Sequence, residues 1–473
     1  MGTGETRFLG ITVLSDFILS EGINRVLDNL TAAGVTAVAL NPTVTEEAEE
    51  GQGSFQPPDD AGSSPRLFDR PLFGKKSLWV RSAPSYRPNE DYYADSPYPA
   101  RRPNELTDAR GSLVGEFIDA AVERGFEVYF QISGTAPSGL RDEDTPRLPD
   151  GSIPENRMAA TGSLAADAVR EFNRAYIRDL LATYPRISGF RPDWPEYPCY
   201  KLCETFQDFG PHVDRWARRH GFPFDEIRRE VGEFYRYLHG RLKNADLEEW
   251  AGPERGTYAS SRLMRSFPGI GAWLRLKAAL SVDLLTHWRE AITDAGGADK
   301  TLSANAFMVP FSLFTGFDFA GASGVCRAVS PKLYTMHWSL IVEFWGRELL
   351  DSNPGLDERL LVRSLENLFD LTDTAGAAGL SDYGYPEPHE PHPIANTPQI
   401  RKIRQVQTEV SGRCLVTPLV HGYGPDDDFC RRFQIVADST ADGVWVNRYG
   451  YLSDRKLEAI GRIWRDTKKI DDG

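Results

Sequence analysis

Cysteine is scarce in this sequence, positive charge is in deficit, and no apolar run is long. The five cysteines, Cys199, Cys203, Cys326, Cys414 and Cys430, are odd in number and lack the spacing of a disulfide framework. Cys199 and Cys203 have no second pair to complete a zinc site, so none is expected there. Lys and Arg total 54 against 68 Asp and Glu, a formal charge of −14. That balance argues against a nucleic-acid partner, which calls for a basic face, and against an anionic membrane. It suits a soluble protein with a neutral small-molecule or oligosaccharide substrate. No stretch of about 18 apolar residues occurs, so no membrane span is expected. The opening MGTGETRFLGITVLSDF lacks a basic-then-apolar leader pattern, and a cytoplasmic location is the expectation. Homo-oligomerisation stays open.

Cofactor signatures are missing as well. Phe73-Gly74-Lys75-Lys76-Ser77 imitates the end of a phosphate loop without its upstream glycine or strand. No flavin or phosphate signature follows the last two apolar runs. No lysine is read at a Schiff-base position on a strand. The first run, Ile11-Thr12-Val13-Leu14, lacks the HxH pair of metal-dependent amidohydrolase barrels. No cofactor and no metal ligand is assigned.

What is present is alternation. Eight short apolar runs, 8–14, 35–40, 126–132, 187–190, 301–309, 329–338, 414–420 and 443–449, are separated by longer amphipathic stretches. Helical patterns cover 22–33, 113–124, 165–184, 272–295 and 454–468, the first two closed by Gly34 and Gly125. Strands alternating with helices point to a parallel sheet, and eight such units to an α/β fold of the (β/α)₈ TIM-barrel type. The whole chain, 1–473, reads as one barrel domain. Its large insertions, 44–110, 135–160, 201–270 and 351–411, are expected on or near the C-terminal face, where barrels build their sites. The patch EEAEEGQGSFQPPDDAGSSP, 46–65, reads as a mobile part of that face.

The fourth run ends in charge: Gly189-Phe190-Arg191-Pro192-Asp193-Trp194-Pro195-Glu196-Tyr197-Pro198. Arg191 and Asp193 share a strand face, so the guanidinium is expected to hold Asp193 ionised. Glu196, among Trp194 and Tyr197, has the apolar surroundings that raise a carboxyl pKa and suit a proton donor. Asp193 and Glu196 are therefore the candidate catalytic pair. The carboxyls of a retaining pair lie about 5–5.5 Å apart and those of an inverting pair roughly 6.5–9.5 Å. The plain alternative is an Arg191–Asp193 salt bridge closing the strand.

Gly189-Phe190-Arg191-Pro192-Asp193 resembles the fourth-strand motif of α-amylase-type glycoside hydrolases, in which an arginine precedes the aspartate nucleophile by two. Asp193-Trp194-Pro195-Glu196-Tyr197-Pro198 resembles the strand-four end of chitinase-type glycoside hydrolases, whose glutamate is the acid. The same element, with Gly443-Val444-Trp445-Val446 and Tyr449, is similar to bacterial glycosyl-hydrolase-like barrels. These likenesses imply a glycosidase on a barrel, and each covers only a short motif. The fifth run, ANAFMVPF at 304–311, lacks the amylase-type glutamate; His421 is followed by Gly422 rather than Asp; and no chitinase-type DxxDxDxE run occurs. Neither mechanism transfers whole.

Other run ends supply rings and hydrogen-bonding tips suited to a sugar: Asn41, Gln131, Tyr334, His337, Trp338, His421, Tyr423, Asn447, Arg448 and Tyr449. Trp445 and Val446 read as barrel packing. The proline-rich stretch 381–393 falls on the catalytic face by helix parity. It offers Asp382, Glu387 and Glu390 as further carboxylates, and His389 and His392, with His421, as an alternative metal set. Arg191, Trp194, Tyr197, Glu387 and His389 join the expected substrate-binding set. The reading is a glycoside hydrolase acting on a neutral saccharide by carboxylate acid/base chemistry. The alternatives are a metal-dependent hydrolase, lyase or isomerase, and a non-catalytic carbohydrate-binding barrel.

Overall fold

The computed structural model describes residues 7–63, 67–137, 139–155, 157–252, 256–373 and 379–467. Twelve strands occur among them: β1 Phe8–Thr12, β2 Ala37–Leu40, β3 Thr43–Ala48, β4 Ser54–Gln56, β5 Leu78–Pro84, β6 Glu127–Ser133, β7 Gly189–Asp193, β8 Thr301–Phe307, β9 Ala328–Leu333, β10 Leu415–Val416, β11 Leu419–His421 and β12 Gly443–Asn447. All but β3, β4 and β5 form one parallel sheet, ordered β10-β9-β11-β12-β1-β2-β6-β7-β8, and a β8–β9 pairing closes it. β10 and β11 are two pieces of one stave, parted at Thr417 and Pro418, so the sheet is an eight-stave (β/α)₈ barrel. Pro418 has no amide hydrogen to give to a ladder, which accounts for the break.

Local sequence explains the units. The helix Ile23–Ala32 buries Val26, Leu27 and Leu30, one stripe at helical spacing, against the barrel. It stops before Gly34, whose φ of 74° suits glycine and turns the chain into β2. The sixth apolar run departs from expectation. β9 ends at Leu333 and the helix Thr335–Ser352 starts two residues later, so Met336, His337 and Trp338 lie in a helical first turn. The apolar residues run unbroken across that joint, which leaves periodicity nothing to mark the boundary.

The stretch read as a mobile patch is also built differently. β3, β5 and β4 make a three-stranded antiparallel sheet, and the chain after β4 runs back over the barrel mouth. Thr45, Val44 and Val80 of this sheet are buried, so it has an inner face despite its acidic composition.

Inside the barrel, Ala37, Ala39, Tyr129, Tyr334, Met336, Leu419 and Trp445 form an apolar cluster separate from the larger core between sheet and helices. Trp445 lies across the interior, and β1 makes room for it with Gly10: a Cβ there would sit 2.3 Å from the indole. Gly10→Ala is therefore expected to overpack the barrel floor and lower stability by about 1–3 kcal/mol. Urea unfolding checks it; an unchanged midpoint would show that Trp445 relaxes at no cost.

Candidate active site

Strand alternation decides what faces inward. Arg191 points into the barrel, with its guanidinium 3.7 Å from the Trp445 ring centroid. Its Nη1 donates to Ser303 Oγ and Ser330 Oγ, both at 3.2 Å, and its Nη2 to Asn305 Oδ1 at 2.6 Å. Burial pulls its pKa down to about 9, which still leaves the group charged at neutral pH. Neighbouring strands supply the rest of this layer and the one above it. Gln131 is in register with Arg191, Asp193 with Asn305, Asn305 with Ser330, and His421 with Asn447.

The expected Arg191–Asp193 pair is not what closes the strand. Asp193 Oδ1 lies 2.7 Å from Lys332 Nζ, and Arg191 sits one layer deeper. Residues two apart on a strand share a face but are separated by about 6.6 Å along it, and the guanidinium spends its donors on Ser303, Ser330 and Asn305 instead. Lys332 is a lysine on a barrel strand that the reading of no Schiff-base lysine passed over. It lies on β9, is buried, and its ammonium stands 4.3 Å from the Trp194 ring and 5.3 Å from Phe307. Its place inside the run VSPKLYTMHW disguised it.

Trp194 follows Asp193 with a φ of 62°, a conformation uncommon for a residue with a side chain and found where a site over-determines the backbone. That bend sends Glu196 away from the mouth. Glu196 is fully buried and accepts from the Phe307 amide at 2.7 Å and from the Thr315 hydroxyl, so both its oxygens are engaged. Burial raises its pKa to about 7, against the opposing pull of Lys332 and these two donors.

Across the mouth stands a carboxylate that the sequence reading did not single out. Asp60, just after β4, has Oδ1 3.2 Å from His337 Nε2, and Oδ2 3.7 Å from His421 Nε2 and 3.1 Å from the Tyr385 hydroxyl, which donates to it. Burial alone would raise its pKa. His337, Arg448 and His421 outweigh that and hold it far below the usual carboxylate range. His337 is fixed from behind, its Nδ1 2.9 Å from the Tyr200 hydroxyl. His421 Nδ1 accepts from the Tyr423 amide at 3.1 Å, so the neutral ring carries its proton on Nε2, and burial keeps the ring neutral. Thr12 donates to Asn447 Oδ1 at 2.6 Å. Tyr334 lies between, its ring 5.1 Å from His337 and 5.0 Å from His421.

Besides Asp193 Oδ1, which has its ion pair with Lys332, six buried polar atoms on this rim make no protein hydrogen bond among the described residues: Asn41 Oδ1, Gln131 Oε1, Asn305 Nδ2, Arg448 Nη1, and His337 Nε2 and His421 Nε2, which face Asp60. Donors and acceptors are mixed, and they come from six different staves or the turns after them. Buried polar groups are normally satisfied, so such a ring calls for a polar occupant.

Several expected residues are placed elsewhere. Trp338 is buried against Phe311 and Lys402, behind the strands. The Tyr197 hydroxyl accepts from the Leu164 amide and donates to Asp208, on the helix side of the barrel. Tyr449 donates to Glu21 and accepts from Asn29. Asp382, Glu387, His389 and Glu390 are exposed on the loop. Tyr423 caps the mouth from that side, donating to Pro386 O at 2.7 Å. His392 is buried with Nδ1 2.7 Å from the Thr335 hydroxyl. Among the described residues no group of three or more His, Cys, Asp or Glu side chains is arranged to hold a metal ion.

No family model and no curated protein matches the chain. Solved structures do. The chain resembles a β-galactosidase from the psychrophilic Marinomonas ef1, with a TM-score of 0.51 and 11% identity over 97% of this chain. It spans 59% of that protein's length. A β-amylase catalytic domain from Paenibacillus polymyxa matches over 98% of this chain and 99% of its own, at 11% identity and a TM-score of 0.42. The C-terminal domain of a protein described as a chitinase, from Desulfitobacterium hafniense DCB-2, matches over 98% of this chain and 100% of its own, at 8% identity and a TM-score of 0.39. The first superposition agrees with the strand order in showing a (β/α)₈ TIM barrel as the fold.

Glu196 gives a pH prediction. Its folded pKa stands at about 7, above the ordinary 4.5, so in that window the folded protein keeps a proton that the unfolded chain releases. Stability should fall as pH rises from about 4.5 to about 7, and Glu196→Gln should flatten that slope. Urea titrations of both proteins across the window check this; parallel slopes would contradict it.

Proposed function

We propose that the protein hydrolyses a glycosidic bond of a neutral saccharide at the barrel mouth. The observation that carries this reading is the set of buried rim atoms that make no protein hydrogen bond, Asn41 Oδ1, Gln131 Oε1, Asn305 Nδ2 and Arg448 Nη1 foremost, a mixture of donors and acceptors that matches a run of hydroxyls better than a single charge. Tyr334, Tyr385 and Trp194 add ring faces beside it, and rings accept the apolar side of a pyranose. Fold analogy agrees with the reading without carrying it.

Asp193 is the carboxylate assigned to the reacting centre. Its Oδ1 is ion-paired with Lys332 Nζ at 2.7 Å. A carboxylate ion-paired with an ammonium is suited to act as nucleophile, or as base toward water, rather than as proton donor. Glu196, expected from the sequence as the acid, is assigned instead to anchoring the turn between Phe307 and Thr315, because both its oxygens are already bonded.

The test is sugar release from a panel of aryl α- and β-glycosides and natural oligosaccharides, with and without added divalent metal. Asp193→Asn should lower kcat at least about a hundredfold while a bound saccharide is still retained. Release that survives Asp193→Asn unchanged, or no release by the wild type from any substrate, would overturn the assignment. Saccharide binding without release would favour the binding barrel, and metal-dependent turnover the metal enzyme.

A further inference from the structure

Hydrolysis of a glycoside needs a proton delivered to the departing oxygen as well as a carboxylate at the anomeric carbon. Asp193 is paired with Lys332 and Glu196 is sealed behind the strand, so neither supplies it. We propose that His337 is the proton donor and that Asp60, carried in by the inserted sheet, is the residue that positions it. The inference rests on the saccharide reading above.

The geometry is that of an oriented imidazole. His337 stands in the first turn of the helix Thr335–Ser352, directly after β9, and is buried. Its Nδ1 meets the Tyr200 hydroxyl at 2.9 Å, which fixes the ring plane. Its Nε2 meets Asp60 Oδ1 at 3.2 Å, so the carboxylate stands against the nitrogen that would carry the proton. Asp60 is held by the Tyr385 hydroxyl at 3.1 Å and flanked by His421 at 3.7 Å. The charged and titratable groups around the pair are Tyr200, Tyr334, Tyr385, His421 and Arg448. Tyr334 feels the charge of both Asp193 and Asp60, so both carboxylates lie near it. His421 does not compete for the role. Its Nδ1 is spent on the Tyr423 amide, and its Nε2 lies farther from Asp60.

The step balances simply. The anomeric C–O bond breaks and its electron pair goes to the departing oxygen, which takes the proton from imidazolium Nε2. Water oxygen bonds to the anomeric carbon and gives a proton to Asp193. That proton passes through solvent to restore the imidazolium, so one glycoside and one water give two hydroxyl products. Asp60 stabilises the imidazolium by its negative charge throughout.

Proton donation has a signature that a structural role lacks: it matters most when the leaving group is poor. Wild type, His337→Gln, Asp60→Asn and Asp193→Asn are compared on a dinitrophenyl glycoside, whose phenolate leaves unaided, and on a methylphenyl or alkyl glycoside, which needs the proton. His337→Gln and Asp60→Asn should slow the poor leaving group by about a hundredfold or more and the dinitrophenyl substrate by less than about tenfold. Asp193→Asn should slow both alike. The comparison is a ratio within one preparation, so partial unfolding of a variant does not disturb it. Equal losses on both substrates, or none, with an active wild type would overturn the donor assignment and leave the saccharide reading standing. A wild type inactive on every glycoside would overturn both.

Discussion

The guanidinium of Arg191 lying on the face of Trp445 is the contact around which the barrel is arranged. A cation buried at mid-barrel calls for acceptors, and three inward side chains, Ser303, Asn305 and Ser330, accept from its two terminal nitrogens. An indole that lies across the neighbouring strand is tolerable only if that strand has no side chain in register with it, and that position is Gly10. One stacking contact thus dictates residue types on five staves and sets a floor. Above it the inward positions are free to be polar, because nothing apolar remains to fill the lumen. The rim of Asn41, Gln131, Asn305, His421 and Asn447 stands on that floor.

The second feature of the site comes from outside the barrel. The β3–β5–β4 sheet, an antiparallel addition between the second stave and its helix, brings Asp60 to the mouth. The proline-rich loop near residue 385 brings Tyr385 to the same carboxylate. A negative charge buried among two histidines and Arg448 is held by attraction, and those three side chains come from three different staves. The site is therefore assembled by long-range contacts, and the insertions contribute chemistry as well as cover.

Much of the frame was legible. Short apolar runs ending in Asn41, Gln131, His421 and Asn447 marked strands, and alternation then required those four to face inward with the rim. Legibility failed where a rule was local and the outcome was not. Arg191 and Asp193 do share a strand face, but layer spacing gave Asp193 to Lys332 on another stave. Lys332 went unseen because a strand, a turn and a helix start share one apolar run. Glu196 has the raised pKa that its apolar neighbours suggested, yet the left-handed turn at Trp194 aims it backward, and sequence carries no signal for that turn. Asp60 sits in a stretch whose Gly, Pro and acidic content reads as disorder, and only its three-dimensional neighbours give it a role.

The central claim is that the polar rim above the Arg191–Trp445 floor is a saccharide site. The most direct measurement is a crystal structure of the protein soaked with neutral monosaccharides and oligosaccharides. The account predicts a sugar ring at the mouth, its hydroxyls within hydrogen-bonding distance of Asn41, Gln131, Asn305, His421 and Arg448, and its anomeric carbon next to Asp193. A sugar bound elsewhere with the rim occupied only by solvent, or an anionic ligand captured there in preference to any sugar, would contradict it.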